Sequence, residues 1–258
     1  MSKQTLGGSL FFHNAESQDY SWRESIACLK EMCNEVIILD AGSDDGTQDM
    51  VKEFEDEKTK VVCLSSVDWY KMRGKEKLSH YTNIAKSMLS TDWHFNLQAD
   101  ESVSDTCFPF IREAIESDNE AFFCTRINLW GDSKHQLNVD HSRTPVGTTI
   151  IRLAKTKYFS VDDAEGLFAP ASFDYLDKII IHHAGFVRSK FIHTKKIENM
   201  LMKVFCHNDL DPKIVEMNGV FDPFSNFSRE DLIPVTHPLP KYIQAWAEQR
   251  DKINDFKI

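Results

Sequence analysis

Short apolar runs alternate with amphipathic stretches over the first hundred residues. The runs Ser9–His13, Val36–Leu39, Val61–Leu64 and Trp93–Leu97 have the length and apolar character of strands. Apolar positions between them recur at the spacing of a helix face, at Ile26, Leu29 and Cys33, at Met50, Val51 and Phe54, and at Leu78, Tyr81, Ala85 and Met88. This β-α-β-α-β-α-β order predicts a Rossmann-like α/β fold, in which helices flank an open and mainly parallel sheet.

The second half of the chain has a less regular pattern. Strands are predicted over Ala121–Trp130, Thr148–Leu153 and Lys178–His183. One helix is predicted to contain Ile111 and Ile115, a second to run from Ile197 to Phe205, and a third to cover Lys241–Phe256. The stretch from His207 to Pro240 is rich in Pro, Asp and Asn, which predicts irregular surface structure. We therefore expect one domain over residues 1–206, in two parts (1–101 and 102–206), and a C-terminal extension over 207–258 that packs on it.

Local signals in the first half indicate where a helix begins and where ligands would bind. Ser21 and Glu24 have the spacing of a capping box, which predicts the start of the first helix. Polar segments follow three of the predicted strands, at Asn14–Glu16, Asp40–Thr47 and Gln98–Glu101. The carboxyl ends of parallel strands lie at one edge of a sheet, where such folds bind ligands. The three segments are therefore predicted to meet.

Two acids in these segments have candidate roles. Asp40 follows four apolar residues, so it is either a strand-end cap or an acceptor for a ligand N–H. Carboxylates at the edge of such a sheet suit Mg²⁺ or Mn²⁺, which prefer oxygen ligands and bridge carboxylates to phosphates. Asp100 is the best placed of them, with Glu101 beside it, although QADE alone is also an ordinary polar turn.

Charge and composition narrow the class of protein. The 258 residues include 30 Lys and Arg and 40 Asp and Glu, a net charge of −10, which argues against a general nucleic-acid binder. Two basic clusters, Lys71, Arg73, Lys75 and Lys77, and Arg188, Lys190, Lys195 and Lys196, are either solvated loops or contacts for a polyanion. The six cysteines form no CxxC and are expected to be small buried hydrophobes. No signal peptide or transmembrane segment is predicted, so we expect a soluble, cytoplasmic protein.

Two motifs resemble those of family 2 glycosyltransferases of the GT-A fold. VIILDAGSDDGTQDMV is similar to the family's strand–Asp–(Asp/Ser)-Gly-Ser-x-Asp-Gly-Thr signature, and DWHFNLQADE is similar to its strand and DxD metal motif. The order of the motifs and the 60-residue spacing from Asp40 to Asp100 also fit. The resemblance extends from Ser9 to Glu101, with weaker echoes in Glu165–Leu167 and in HHAGFVRSKFIHTKK.

The resemblance implies an enzyme that moves a sugar from a nucleotide-sugar donor, usually a UDP-sugar, to an acceptor hydroxyl with inversion and with Mn²⁺ or Mg²⁺. Residues 1–101 would be the nucleotide-binding half and 102–206 the acceptor half. Asp100 and His183 would bind the metal, with His182 as the fallback, and Glu165 or else Asp163 would be the catalytic base. The donor-binding residues would be His13, Asn14, Glu16, Asp40, Gly42, Ser43, Gln98, Arg188 and Lys195.

Two departures from the family pattern affect these expectations. Ala41 stands where many members have a second Asp, so recognition of the base, by its uracil N3–H, rests on Asp40 or shifts to Glu16. Gln98 replaces the first Asp of DxD; its amide can still bind a ribose hydroxyl, but the metal site loses a carboxylate. The alternative is a non-catalytic nucleotide-sugar-binding protein with a degenerate site. A nucleotidyltransferase would need a basic, glycine-rich loop where Asn14–Glu16 is acidic.

The acceptor is left open by the sequence. A glycan is the first expectation, and a hydroxymethylated base in phage DNA is the second, with the host cytoplasm as the location in that case. The second expectation rests on the two basic clusters and on aromatic residues that could hold an extruded base, namely Trp69, Tyr70, Trp130 and Phe191. The sugar, the linkage and the oligomeric state are not indicated by the sequence.

Overall fold

Ten of the described strands form one sheet with helices on both faces. The computed structural model describes residues 3–65, 69, 72, 76–138, 149–168, 170–199 and 229–253. The strands are β1 (Leu6–Phe12), β2 (Glu35–Asp40), β3 (Thr59–Cys63), β4 (Trp93–Asn96), β5 (Glu101–Val103), β6 (Ala121–Trp130), β7 (His135–Leu137), β8 (Thr149–Lys155), β9 (Ser160–Val161), β10 (Gly166–Leu167), β11 (Phe173–Phe186) and β12 (Leu232–Pro234). The helices are α1 (Trp22–Met32), α2 (Thr47–Val51), α3 (Glu76–Ser87), α4 (Phe108–Ala114), α5 (Lys190–Asn199) and α6 (Lys241–Ile253).

The first half of the sheet is parallel, as the sequence pattern predicts. Strands β4, β1, β2 and β3 lie side by side in that order and run in the same direction. Alternate residues of β2 belong to two clusters, with Ile38 packed on the α1 side and Ile37 on the α3 side. A strand buried on both faces requires the continuous apolar run that β2 has. At its carboxyl end, Asp40 lies beside Phe12 of β1.

The second half of the sheet is mixed. Strand β8 pairs antiparallel with β4 and β6, and β7 pairs antiparallel with β6 and β12. Strand β11 runs parallel to β6 and antiparallel to the short β5. The predicted α/β class with an open, helix-flanked sheet is therefore confirmed, and the strands of its first half, β4, β1, β2 and β3, are all parallel. Antiparallel neighbours need no helical crossover, which explains the less regular pattern of this half.

Several predicted bounds are corrected by the structure. Strand β11 begins at Phe173, five residues before the predicted Lys178, because its first residues are mostly exposed and lack an apolar pattern. Helix α5 begins at Lys190 rather than Ile197. The stretch predicted to be irregular includes β12, which pairs with β7. Residues 200–228 lie outside the described part, as does the proposed domain boundary after residue 206.

The predicted capping box does not form. Ser21 is the N-cap of α1, but its hydroxyl makes no capping hydrogen bond and is buried without a partner among the described residues. Instead, the Ser25 hydroxyl donates to the Ser21 carbonyl oxygen at 3.0 Å. Spacing alone therefore identified the start of the helix correctly but not the hydrogen bonds that cap it.

The last helix packs on the second half of the sheet. Ile243, Trp246 and Ala247 of α6 are buried with residues of β6. Arg250 donates from Nε to Asp19 at 3.1 Å, so α6 also braces the loop between β1 and α1.

Other expectations from composition have mixed outcomes. Four of the five described cysteines are buried free thiols, whereas Cys63 is exposed; Cys206 lies outside the described residues. None of the helices in the described ranges combines the length and the apolar character that a membrane span requires.

Lys86 of α3 is a buried cation that opposes folding. It is 2% exposed, and its ammonium has no hydrogen-bond partner in the described part of the chain. Burial lowers its pKa to about 8. Because the charged form is disfavoured in the native state, Lys86→Met is expected to raise the free energy of unfolding by about 3 kcal/mol at pH 7. Chemical denaturation measures this gain.

The gain in the free energy of unfolding from Lys86→Met is expected to fall as the pH rises. The folded pKa of Lys86 lies near 8 and the unfolded one near 10.5, so the penalty is complete below pH 8 and fades between pH 8 and 10.5. The gain from Lys86→Met should fade over the same range. Lys52→Met, at an exposed lysine, should change the free energy by less than about 0.5 kcal/mol. An equal gain at pH 7 and pH 10.5 would contradict this assignment.

Candidate functional site

The loop between β1 and α1 connects the motif segments at one edge of the sheet. Asn14, with a left-handed backbone (φ 55°), donates from its backbone N–H to the Ser43 hydroxyl at 2.7 Å. Its side-chain amide exchanges two hydrogen bonds with Asp44, at 2.7 and 2.8 Å. Further along the loop, the Gln18 carbonyl oxygen accepts from Arg188 at 2.6 Å. The loop thus contacts both the turn after β2 and the segment after β11. Two of the three segments predicted to meet, Asn14–Glu16 and Asp40–Thr47, are therefore in contact.

Asp40 is satisfied on one oxygen and unsatisfied on the other. Its Oδ1 accepts from the backbone N–H groups of Gly42 and Ser43, at 2.9 and 2.7 Å, and from the Gln48 amide at 3.0 Å. Its Oδ2 is buried with no hydrogen-bond partner among the described residues. Gly42 has a positive φ of 85°, which the turn requires. Asp40 is therefore a strand-end cap with one acceptor left over.

Beside this turn, His13 is held by an aromatic stack. Its ring lies parallel to the Trp69 ring, with centroids 4.3 Å apart. The Lys77 ammonium lies 3.9 Å from the centre of the same indole. Trp69 and Lys77 are both buried. Trp69 therefore supports His13 from within the protein.

Asp100 lies at the centre of a buried cluster of cationic groups. Its Oδ2 accepts from the Lys196 ammonium at 3.0 Å. Arg188 Nη2 and His183 Nε2 lie 3.6 Å from the same oxygen. Arg188 is fully buried, and its Nε and Nη2 have no hydrogen-bond partner in the described residues. One carboxylate is therefore shared by several groups, and one edge of the guanidinium is unsatisfied.

The charges of this cluster affect one another. Burial opposes the ionisation of Asp100, but the Lys196 ammonium foremost outweighs it and holds the pKa of the carboxyl well below its usual range. Burial lowers the pKa of Lys196 to about 8, against the attraction of Asp100. Burial also lowers the pKa of His183, against the attraction of the Asp100 carboxylate.

The donor set around Asp100 fits a divalent metal ion. His183 Nδ1 lies 3.0 Å from Asn128 Oδ1. An amide oxygen only accepts, so a hydrogen bond here requires Nδ1 to donate, and a neutral ring then has its Nε2 lone pair toward Asp100. Two lone-pair atoms 3.6 Å apart can both contact an ion about 2.1 Å from each. A Cβ on Gly185 would lie 2.4 Å from His183 Nε2 and 2.9 Å from Asp100 Oδ2, so glycine keeps the space between them open.

Such an ion would need ligands from outside the protein. In the ranges that the structure describes, no three His, Cys, Asp or Glu side chains converge on one point. Mg²⁺ is commonly held by one or two carboxylates together with water and substrate phosphates. His183, and not the fallback His182, faces Asp100; His182 Nε2 lies 3.3 Å from the His237 carbonyl oxygen, and burial lowers its pKa to about 4.

A buried ionic network joins Glu101 to the predicted catalytic acids. Glu101 accepts from Nε and Nη2 of Arg152, both at 2.8 Å. Arg126 lies 3.5 Å from Glu101 and also donates to Glu165. Asp163 accepts from the Glu165 backbone N–H at 3.4 Å. Glu165 and Asp163 thus lie in the turn between β9 and β10, and Arg126 fixes the first of them.

The other residues predicted to bind the nucleotide-sugar donor differ in their exposure and contacts. Glu16 accepts from Arg23 at 2.8 Å and is partly exposed. Gln98 is half-buried, and its backbone N–H donates to Glu101 at 3.0 Å. Lys195 is exposed, with its ammonium 4.3 Å from the centre of the Phe191 ring. Its neighbour Lys196 is the lysine that contacts Asp100.

The observations behind a nucleic-acid acceptor are weakened. Trp69 and Trp130 are buried, so neither offers an open surface to an extruded base. Lys77, Arg188 and Lys196 are also buried, while Phe191 is exposed. Tyr70, Lys71, Arg73 and Lys75 lie outside the described residues.

Sequence analysis missed several residues of this site. Lys196 was placed in a basic cluster, but which lysine of the Lys195–Lys196 pair turns inward depends on the phase of α5. Asn128 lies within the predicted strand β6, where only its register opposite His183 reveals a role. Gln48, which holds Asp40, has no motif spacing that would identify it.

Comparison with known proteins gives distant structural matches. No protein-family model and no curated protein matches the chain. A putative glucose-1-phosphate thymidylyltransferase from Bacillus anthracis is 12% identical, with a TM-score of 0.45, over 70% of this chain and 90% of that one. TarS 1–349 from S. aureus is 14% identical, with a TM-score of 0.47, over 88% of this chain and 73% of that one. The same fragment with UDP is 13% identical, with a TM-score of 0.47, over 76% and 66%. At these identities the similarity assigns no activity.

Glu101 is predicted to be required for stability. Burial raises its pKa, but Arg152 and Arg126 outweigh burial and lower it, so its stabilising effect is present at neutral pH and lost as the pH falls through the lowered value. Glu101→Gln leaves Arg152 buried without its counter-charge. We expect the free energy of unfolding at pH 7 to fall by about 3–5 kcal/mol, measured by chemical denaturation.

A surface pair serves as the control for Glu101. Asp49 pairs with Lys52 at 2.8 Å, and both side chains are exposed. Asp49→Asn should therefore change the free energy of unfolding by less than about 0.5 kcal/mol. Comparable losses in the free energy of unfolding from the two variants would refute the prediction that Glu101 is required for stability.

Proposed function

We propose that the protein transfers a sugar from a nucleotide-sugar donor to an acceptor hydroxyl. The observation that carries the proposal is a pair of buried groups that lack hydrogen-bond partners among the described residues: the Oδ2 acceptor of Asp40 and the Nε and Nη2 donors of Arg188. A buried polar atom without a partner is costly, and a ligand that supplies the partner recovers that cost. A nucleobase N–H suits the first group, and a phosphate oxygen suits the second.

The geometry of Asp40 favours uracil over guanine. Its Oδ1 already accepts three hydrogen bonds, so only Oδ2 is available. Uracil presents a single N–H between two carbonyl groups, whereas guanine presents two adjacent donors that require both oxygens of a carboxylate. Asp40 is fully buried, so binding must open the edge of the sheet around it. A UDP-sugar is therefore the proposed donor.

The diphosphate is assigned to the Asp100 cluster. Arg188 presents its Nε–Nη2 edge, the fork with which guanidinium groups bind phosphate in pairs of hydrogen bonds. Asp100 and His183 are the proposed ligands of Mn²⁺ or Mg²⁺. Such an ion would neutralise charge on the departing diphosphate. Lys196 adds a second positive charge near the same place.

The proposed base is Glu165, held in place by Arg126. The acceptor oxygen would bond to the anomeric carbon as the bond from that carbon to the diphosphate oxygen breaks, which inverts the centre. The acceptor proton would pass to the Glu165 carboxylate. Asp163, in the same turn, is the alternative base. A glycan is the proposed acceptor.

Asp40→Asn tests base recognition. The Asn carbonyl oxygen can keep the Oδ1 hydrogen bonds, while its amide puts a donor where the uracil N–H needs an acceptor. We expect the affinity for UDP with Mn²⁺ to fall about 10- to 100-fold, as calorimetry would measure. Cytosine has an acceptor at that ring position, so the variant should favour CDP over UDP.

Pyrophosphate is the control ligand for this test because it has no base. Its affinity should be the same for wild type and Asp40→Asn. An equal loss for pyrophosphate and UDP would mean that the variant damages the whole site. Wild-type affinity for UDP would remove Asp40 from base recognition.

Glu165→Gln tests the transfer step. With Mn²⁺ and a panel of UDP-sugars, the wild type should slowly release UDP by using water as the acceptor. We expect Glu165→Gln to lower this rate about 10²- to 10⁴-fold while UDP affinity is unchanged. If only Asp163→Asn has this effect, the alternative base is correct. UDP binding without any hydrolysis in the wild type would instead favour the non-catalytic binding protein.

A further inference from the structure

Lys196 occupies a site built for a cation. Its ammonium donates to Asp100 Oδ2 at 3.0 Å and to the Gly185 carbonyl oxygen at 3.3 Å. The rings of Tyr20 and Phe186 lie 5.2 and 5.5 Å from it, close enough for cation–π attraction. Lys196 is 8% exposed. The ammonium is therefore enclosed by acceptors and aromatic faces.

The same oxygen is the one that a divalent ion would use. Asp100 Oδ2 lies 3.6 Å from His183 Nε2, and the space between them is the one that Gly185 keeps open. The Lys196 ammonium also contacts this oxygen. Two like charges at one carboxylate oxygen repel strongly in a buried site, where screening is weak. The ammonium and the divalent ion therefore compete for Asp100 Oδ2.

We propose that Lys196 is an internal competitor of the divalent ion, so that the metal binds well only together with a diphosphate that takes over the ammonium. This inference rests on the proposed function, because it needs the metal and the diphosphate to share the Asp100 cluster. The inference predicts that the metal binds together with the diphosphate rather than before it. The metal alone has to displace a satisfied ammonium, whereas metal and nucleotide together offer the ammonium new phosphate oxygens.

Arg188 can bind the diphosphate through Nε and Nη2 without giving up an existing hydrogen bond of these two nitrogens to a described residue. Its Nη2 lies 3.6 Å from Asp100 Oδ2, and neither Nε nor Nη2 has a hydrogen-bond partner among the described residues. A diphosphate bound beside Asp100 would therefore meet Arg188 and Lys196 together. Metal and UDP should therefore strengthen each other's binding by the same factor. That mutual effect should depend on Lys196.

Binding of Mn²⁺ alone tests the inference directly. Free Mn²⁺ is measured by electron paramagnetic resonance at fixed pH, with wild type, Lys196→Met and Lys52→Met, in the absence and presence of UDP. Without UDP, Lys196→Met should bind Mn²⁺ at least about tenfold more tightly than the wild type. Lys52→Met removes the same charge at an exposed position outside the predicted binding residues and should match the wild type.

The effect of UDP provides the second half of the test. UDP should tighten Mn²⁺ binding by about tenfold or more in the wild type and by clearly less in Lys196→Met. The wild-type measurement remains decisive even if the variant fails to fold, because equal Mn²⁺ affinity with and without UDP overturns the inference. Lys196→Gln, which keeps a polar side chain, serves as a second folded variant.

The outcomes separate this inference from the proposed function. If the wild type binds Mn²⁺ with UDP but Lys196→Met binds Mn²⁺ alone no more tightly than the wild type, internal competition is wrong and the proposed metal site stands. If neither wild type nor any variant binds Mn²⁺, with or without UDP, the proposed metal site is wrong and the inference fails with it.

Discussion

Buried polar atoms need partners, and this constraint underlies the account of the site. Within the part of the chain that the structure describes, Asp40 Oδ2 has no hydrogen-bond donor and two nitrogens of Arg188 have no hydrogen-bond acceptor. Asp100 and His183 bring two lone-pair atoms together with an open space between them. Unsatisfied groups of this kind lower stability, so their presence at one edge of a well-packed sheet points to ligands that complete them.

The fold explains why these groups lie at the same edge of the sheet. Strand β1 lies between β2 and β4, so the segments that carry Asp40 and Asp100 leave the sheet on either side of it. The loop after β1 then contacts Ser43 on one side and Arg188 on the other. The second half of the sheet supplies what the first half lacks, since β11 and α5 deliver His183, Arg188 and Lys196. Neither half alone contains the whole site.

Much of the first half of the fold could be predicted from the sequence. Buried parallel strands require continuous apolar runs, and β2 has one that ends at Asp40. The second half was harder because the first residues of β11 are mostly exposed and carry no periodic pattern. The capping box failed for a related reason: Ser21 and Glu24 have the right spacing, but spacing does not determine where a hydroxyl points.

Several residues of the candidate site could be predicted from the sequence, but their arrangement in space could not. Asp40, Asp100 and His183 stand at positions that motifs identify. Which of two adjacent lysines turns inward depends on the rotation of α5, and the choice between His182 and His183 depends on which face of β11 meets Asp100. Such choices are fixed by tertiary packing, which a single sequence does not express.

The most direct test of the central claim is a crystal structure of the protein with Mn²⁺ and UDP, with the metal located by its anomalous scattering. The account predicts a manganese peak about 2.1 Å from both Asp100 and His183 Nε2, with the uracil N–H on Asp40 Oδ2 and the diphosphate on the free edge of Arg188. A manganese ion bound elsewhere, or a uracil that does not reach Asp40, would contradict it.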